Sequence, residues 1–248
     1  MRTLRAPDGC PWDRAQTLET LRPYVIEEAH EVVGAIDKQS PDALREELGD
    51  LLLQIVFQSE IAQDEGWFGI DDVVDSIADK MTRRHPWVFG DETVGDEGAG
   101  IGRWEEIKAA ERQRKGKTEG TLDGVPVSLP ALLRAVRVGE KAASVGYDWP
   151  DASGAWTKVH EEMRELEHAA AEHDSQAVEQ ELGDLLFALS NFARKQDIDP
   201  EAALRASLGR FSKRFSHAEQ TASSEGRPLR ERTPEELDQL WNEAKSAT

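Results

Sequence analysis

Cysteine is nearly missing from this chain. Cys10 stands alone, so no internal disulfide can form, which suits a reducing cytoplasm. Tyrosine occurs twice, and Val and Ile are scattered rather than run together, so strand-forming material is thin. No apolar run reaches the length of a membrane span. Met1 to Cys10 carries Arg, Pro and Asp where a signal peptide would carry an apolar core. These absences predict a cytoplasmic protein with no membrane partner. Basic residues are outnumbered: 30 Lys and Arg against 49 Asp and Glu leave a net charge of −19. So acidic a chain has no broad basic face for nucleic acid, although cations can bring small phosphorylated ligands to it.

What remains is helix material. Glu, Ala, Leu and Arg dominate the 248 residues, which suffice for one large domain or two ordinary ones. The chain also repeats itself. Glu47-Leu48-Gly49-Asp50-Leu51-Leu52 recurs as Glu181-Leu182-Gly183-Asp184-Leu185-Leu186, at an offset of 134. The same offset carries Glu27, Glu28 and Glu31 onto Glu161, Glu162 and Glu165. Further pairs keep the order: Lys80 and Arg84 with Arg210 and Arg214, Trp104 and Lys108 with Trp241 and Lys245. We read a tandem duplication, with modules at 1–114 and 131–248 joined by a Gly-, Ser- and Pro-bearing linker at 115–130.

Each module has the period of a helix. Leu44, Leu48, Leu51 and Ile55 are spaced 4-3-4, as are Val178, Leu182, Leu185 and Leu189. Ser40-Pro41 and Asp199-Pro200 place a capping side chain before Pro at the first helical position. Thr233 and Glu236 have capping-box spacing. The expected fold is all-α, with two tandem modules of four-helix type built as antiparallel bundles.

Chemistry resides in the carboxylates. Glu28 and Glu31 share a helix face, and so do Glu47 and Asp50 on the next helix. Packed antiparallel, the two helices converge four carboxylates beside an apolar stripe. Such a group repels itself and loses hydration unless a cation resolves both costs. Oxygen donors with no Cys favour Mg²⁺ or Mn²⁺. A lone EExxE is usually a solvated face; its exact repetition with ExxD argues for a site. A di-iron bundle would need a repeated ExxH, but Glu27-His30 is answered by Glu161-Arg164. Arg and Lys at i, i+4 are commonly solvated, and a terminal Trp commonly anchors a core. Together, and twice, they sketch cations for phosphates and a ring for a base.

These residues resemble the MazG family of the all-α NTP pyrophosphohydrolase superfamily. The resemblance rests on Gly9-Cys10-Pro11-Trp12-Asp13, both EExxE…ExxD sets, Arg84-His85-Pro86, Ser128-Leu129-Pro130-Ala131-Leu132 and Val145-Gly146-Tyr147-Asp148-Trp149. It implies Mg²⁺-dependent hydrolysis of nucleoside triphosphates to monophosphate and pyrophosphate by a homodimer. Carried over by position, Glu162, Glu165, Glu181 and Asp184 would be metal ligands, with Glu161 a candidate to orient water. Lys158, Arg210, Arg214, Trp241 and Lys245 would contact nucleotide. The matching first-module set is Glu28, Glu31, Glu47 and Asp50, with Lys80, Arg84, Trp104 and Lys108. Which module is active stays open, as do a nucleotide sensor without turnover, an acidic bundle serving solubility, and a narrow house-cleaning enzyme for dUTP or a damaged nucleotide. Leu208 replaces a frequent Asn, Gly209 sits in the basic helix, and Trp87 replaces a common His. The family usually begins with a further helix, which implies a first-module core curtailed or completed differently.

Overall fold

A computed structural model describes residues 1–96, 100, 102–104, 106–107, 110–111 and 120–247. Among these the chain is all-α, with no strand. It divides into two compact units, Met1–Lys117 and Thr118–Thr248.

The first unit comprises α1 (Arg2–Arg5), α2 (Pro11–Ala15), α3 (Leu18–Asp37), α4 (Pro41–Asp64), α5 (Ile70–Arg84) and α6 (Pro86–Phe89). The second comprises α7 (Ala131–Ala143), α8 (Ala152–Ala171), α9 (Ser175–Lys195), α10 (Pro200–Ser224) and α11 (Pro234–Ala247). Each is organised on one helical hairpin, α3–α4 in the first and α8–α9 in the second.

The two hairpin turns are built alike. Gln39 and His173 both take left-handed backbone, at φ 51° and 56°. The N–H of Ser40 then reaches back to Ala35, and that of Asp174 to Ala169, each at 3.2 Å. Both close the preceding helix by a Schellman-type bond while their side chains cap the next: Ser40 accepts from Ala43, Asp174 from Gln176 and Ala177. Asp199 caps α10 through Glu201 and Ala202. Thr233 and Glu236 exchange the two bonds of a capping box.

The cores are small. Leu21, Phe57 and Ile61 form one in the first unit, with Met1 and Leu18 against them. Ala218, Ala222 and Leu240 form one between α10 and α11, backed by Leu229. The 4-3-4 leucine stripes are not the buried faces. Leu48 and Ile55 are nearly half exposed, as are Leu182 and Leu189. On α4 the buried residues are instead Gln54, Phe57, Ser59, Ile61 and Ala62. Spacing located the helix but not which side a partner covers.

Gly139 lets α7 lie close to α9. A Cβ there would overlap the Asn191 side chain and come within 2.9 Å of Arg194 Nε. Gly139→Ala is therefore expected to cost about 1–3 kcal/mol through overpacking. His173→Gly should add up to about 1 kcal/mol by removing the left-handed penalty. Urea unfolding of both variants measures the two shifts, which should have opposite sign.

Candidate active site

The hairpins bring the expected carboxylates together. Glu28 and Glu31 of α3 meet Glu47 of α4, with an oxygen of each within 4.8 Å of the others. In the second unit Glu162 of α8 meets Glu181 and Asp184 of α9 within the same reach, and Glu161, Glu162 and Glu165 form a further group on α8. Asp50 lies outside the first triad yet is close enough to act on both Glu28 and Glu47. None of these groups includes His30, so the repeated ExxH that a di-iron site would need does not form among the described residues.

Electrostatics follow from the crowding. Glu28 is pushed above the usual carboxylate range, first by partial burial and then by Asp50 and Glu31. Glu47 is raised by desolvation and then by Glu31, Glu46 and Asp50. Glu181 is raised by desolvation and then by Glu165, Glu162 and Asp184. Converging oxygen donors that repel one another fit a hard divalent cation, which would favour their charged forms.

The two units differ in their own compensation. Lys158 Nζ lies 2.7 Å from Glu161 and 2.5 Å from the buried Glu162. Hydrogen bonds to these carboxylates raise the lysine above its ordinary value. The offset of 134 puts Tyr24 at the corresponding place, so the first triad lacks this lysine. Gln54 stands there instead as a polar neighbour, its Nε2 donating a long hydrogen bond of 3.5 Å to Glu28.

A cleft of about 620 Å³ opens beside the second acidic group. Its lining includes the charged Lys158, Glu162 and Asp184 and the rings of Tyr147, Trp149 and Phe187. Its volume suits a small-molecule ligand. Asp148 anchors the wall: Arg194 Nη2 lies 2.6 Å and Lys195 Nζ 2.7 Å from its carboxylate. The Arg194 hydrogen bond, chiefly, holds Asp148 well below the usual carboxylate range. Gly154 leaves room for the Trp149 ring, whose Cγ lies 3.1 Å from where a Cβ would stand.

The other expected residues are distributed differently. Arg84 is engaged by Glu111 at 2.7 Å and sits 5.8 Å from the Trp104 ring centroid. Arg83 joins the same carboxylate, and Glu111 falls to about 2, chiefly through the Arg84 hydrogen bond. Lys80 borders a separate cleft of about 470 Å³ with Phe68 and Asp72. Lys108 lies outside the described residues. Arg210 and Lys245 are exposed and Arg214 is half-buried. Trp241 packs on Phe211 at 5.2 Å, and Phe211 stacks on Phe215. Gln54, Glu111, Arg194 and Lys195 were missed by pattern reading, because each acts through a neighbour distant in sequence.

With this geometry in view, the sequence comparisons decide the family. The pattern of the MazG nucleotide pyrophosphohydrolase domain matches residues 16–89 and 155–218, segments that cover the first helical hairpin and nearly all of the second. The chain belongs to the MazG family. It is 44% identical over 246 residues to the nucleoside triphosphate pyrophosphohydrolase/pyrophosphatase MazG of Thermotoga maritima, covering 99% of this chain and 92% of that one. A nucleoside triphosphate pyrophosphohydrolase of Escherichia coli K12 is 40% identical over 248 residues, covering 99% and 94%. The YabN protein of Bacillus subtilis is 48% identical over 249 residues, covering 99% of this chain and 50% of its own. No helix among the described residues of this MazG chain is long and apolar enough to cross a membrane.

The raised carboxylates give a pH signature. Folding favours their protonated forms, so the stability they contribute is present at low pH and lost as pH rises through their folded values. With a chelator present, Glu47→Gln/Glu181→Gln should unfold at a higher temperature than wild type near pH 7. The gap should narrow at a lower pH, as the wild-type groups take up protons. Thermal scans at both pH values check this.

Proposed function

We propose that the chain hydrolyses nucleoside triphosphates to monophosphate and pyrophosphate, with the second module's cleft holding the substrate. The observation that carries this reading is the cleft itself: Lys158, Glu162 and Asp184 line it together with Tyr147 and Trp149. Phosphates and a base need those two environments within one molecule's length. The printed activities of the Thermotoga maritima and Escherichia coli relatives support the reading.

Glu162, Glu165, Glu181 and Asp184 would hold Mg²⁺ or Mn²⁺, as would Glu28, Glu31, Glu47 and Asp50 in the first module. A bound cation supplies charge neutralisation and orientation for the phosphate oxygens. Lys158 leaves Glu161 and Glu162 and pairs with a phosphate oxygen. Glu161, released from the lysine, orients a water and accepts its proton as the water attacks the α-phosphorus. The bond from α-phosphorus to the bridging oxygen breaks, and pyrophosphate departs with the bonding electrons. The resemblance assigns Arg210, Arg214 and Lys245 to the charge on the phosphates and Trp241 to the nucleotide, although none of the four lines the cleft. The half-exposed Leu182, Leu186, Phe187 and Leu189 flank the acidic residues of α9 and support a homodimer that covers them.

Pyrophosphate release from a panel of NTPs and dNTPs with Mg²⁺ tests the proposal. Glu181→Gln/Asp184→Asn should lower turnover more than about 100-fold, the scale for losing transition-state charge stabilisation. Glu47→Gln/Asp50→Asn should leave most turnover in place. Loss only in the first-module variant would reverse the assignment. No pyrophosphate from the wild type would refute it.

A further inference from the structure

The segment between α7 and α8 carries two of the rings on the cleft, Tyr147 and Trp149, yet no residue from 144 to 151 is buried. Tyr147 is 83% exposed. Its backbone N–H closes α7 by reaching Ala142 at 3.0 Å, where Gly146 turns the chain at φ 85°. Asp151 ends the segment by capping α8. Between these anchors Asp148 ties the segment sideways to α9. Its carboxylate accepts from Arg194 Nη2 at 2.6 Å and Nη1 at 3.1 Å, and Lys195 Nζ lies 2.7 Å away. It also accepts the N–H of Trp149 at 2.9 Å. A bidentate guanidinium–carboxylate pair fixes direction as well as distance.

Arg194 lines the cleft, but its donors are already engaged. Besides Asp148 it binds Asn191 Oδ1, through Nε at 3.3 Å and Nη2 at 3.2 Å. Asn191 is 2% exposed, and its Nδ2 donates to the carbonyl of Phe187 at 3.2 Å. A chain of hydrogen bonds therefore runs from the α9 backbone out to the segment. Asp184, Phe187, Asn191 and Arg194 follow one another at intervals of three or four, so they share one face of α9. Asp184 and Arg194 are separated by about 15 Å of helix. The latch thus stands well away from the acidic group, along the same cleft.

The first module ties the same place with the charges reversed. Arg5, ahead of the hairpin, donates to Asp64 of α4 from Nε at 3.0 Å and Nη2 at 2.9 Å. At the offset of 134 Arg194 answers to Glu60, which Arg2 approaches at 3.6 Å. Both modules keep an ion pair between the leading segment and the end of the hairpin, and that of the second lines the cleft.

We propose that Asp148, clamped by Arg194 and Lys195, is a positioning residue for the nucleoside triphosphate: it holds the Tyr147–Trp149 segment as the wall that receives the nucleoside, without touching the phosphates. The inference rests on the functional reading above and adds where nucleoside affinity is set. Arg194 acts through Asp148 and is not a phosphate ligand. With the latch broken, the segment leaves the cleft part of the time, and KM rises as the reciprocal of the fraction in place.

The test is steady-state pyrophosphate release from one NTP by the full chain with Mg²⁺, with inorganic tripolyphosphate as competing inhibitor. Asp148→Asn should raise KM about fivefold or more while kcat and the tripolyphosphate inhibition constant stay close to wild type, the pattern of lost ground-state binding. Asp148→Glu should recover most of the affinity, since it restores the charge facing Arg194. Tyr147→Ser should raise KM by itself and add little to Asp148→Asn, because both act through one segment. Arg194→Lys, which keeps the charge and loses the fork, carries the same KM expectation should Asp148→Asn fail to fold by circular dichroism. An unchanged KM in the folded latch variant overturns the proposal. So does a fall in kcat with weakened tripolyphosphate, which would make Asp148 a support for the acidic group, or full additivity with Tyr147→Ser. Any of these with wild-type turnover intact defeats this inference alone; no pyrophosphate from the wild type defeats the functional reading as well.

Discussion

The structure is organised around a repulsion. Two helices in each unit are joined by a turn so short that carboxylates from both must share a few ångströms. The pKa directions of Glu28, Glu47 and Glu181 record the cost, since each is held toward its neutral form by lost hydration and by acidic neighbours. The fold holds this repulsion at the edge of a small alanine-rich core, and oxygen donors so gathered fit a cation. In the second unit Lys158 offsets part of that repulsion by pairing with Glu161 and Glu162. The first unit has a tyrosine at that place; there Gln54 donates to Glu28, and Lys38 offsets part of the repulsion on Glu47.

The hairpin turns explain how the repulsion is held in register. Left-handed Gln39 and His173 let a three-residue connection end one helix and cap the next. That fixes Glu28 against Glu47 and Glu162 against Glu181. Around this shared frame the modules have diverged. The second lines its cleft with Asp148, Arg194 and Asn191 beside Tyr147 and Trp149, whereas in the first Trp12 meets Tyr24 and Phe57 edge-on. Identical carboxylate spacing therefore coexists with different surroundings.

The all-α class, the helical hairpins and the carboxylate triads were legible because each depends on spacing within one helix or on a local cap. EExxE puts Glu28 and Glu31 on one face wherever the helix lies, and Ser40-Pro41 starts the next helix whatever packs on it. The leucine stripe was read less well. Its period shows a helix, but Leu48 and Ile55 face outward while Gln54 and Phe57 face in, a choice made by neighbours far along the chain. The pairs Arg84–Glu111 and Asp148–Arg194 join residues 27 and 46 positions apart, and no local pattern foretells them. Arg84, which looks in sequence like a free phosphate ligand, is for that reason already partnered.

The account depends most directly on whether these carboxylates capture a divalent cation. Electron paramagnetic resonance counts free Mn²⁺ during a titration of the full chain, and variants that remove each acidic set assign what is bound. Wild type should withdraw at least one Mn²⁺ per module from the free signal. Glu47→Gln/Asp50→Asn and Glu181→Gln/Asp184→Asn should each remove one module's share, and the combined variant should bind none. If Mn²⁺ stays free in the presence of folded wild type, the acidic hairpins are not metal sites and the account is wrong.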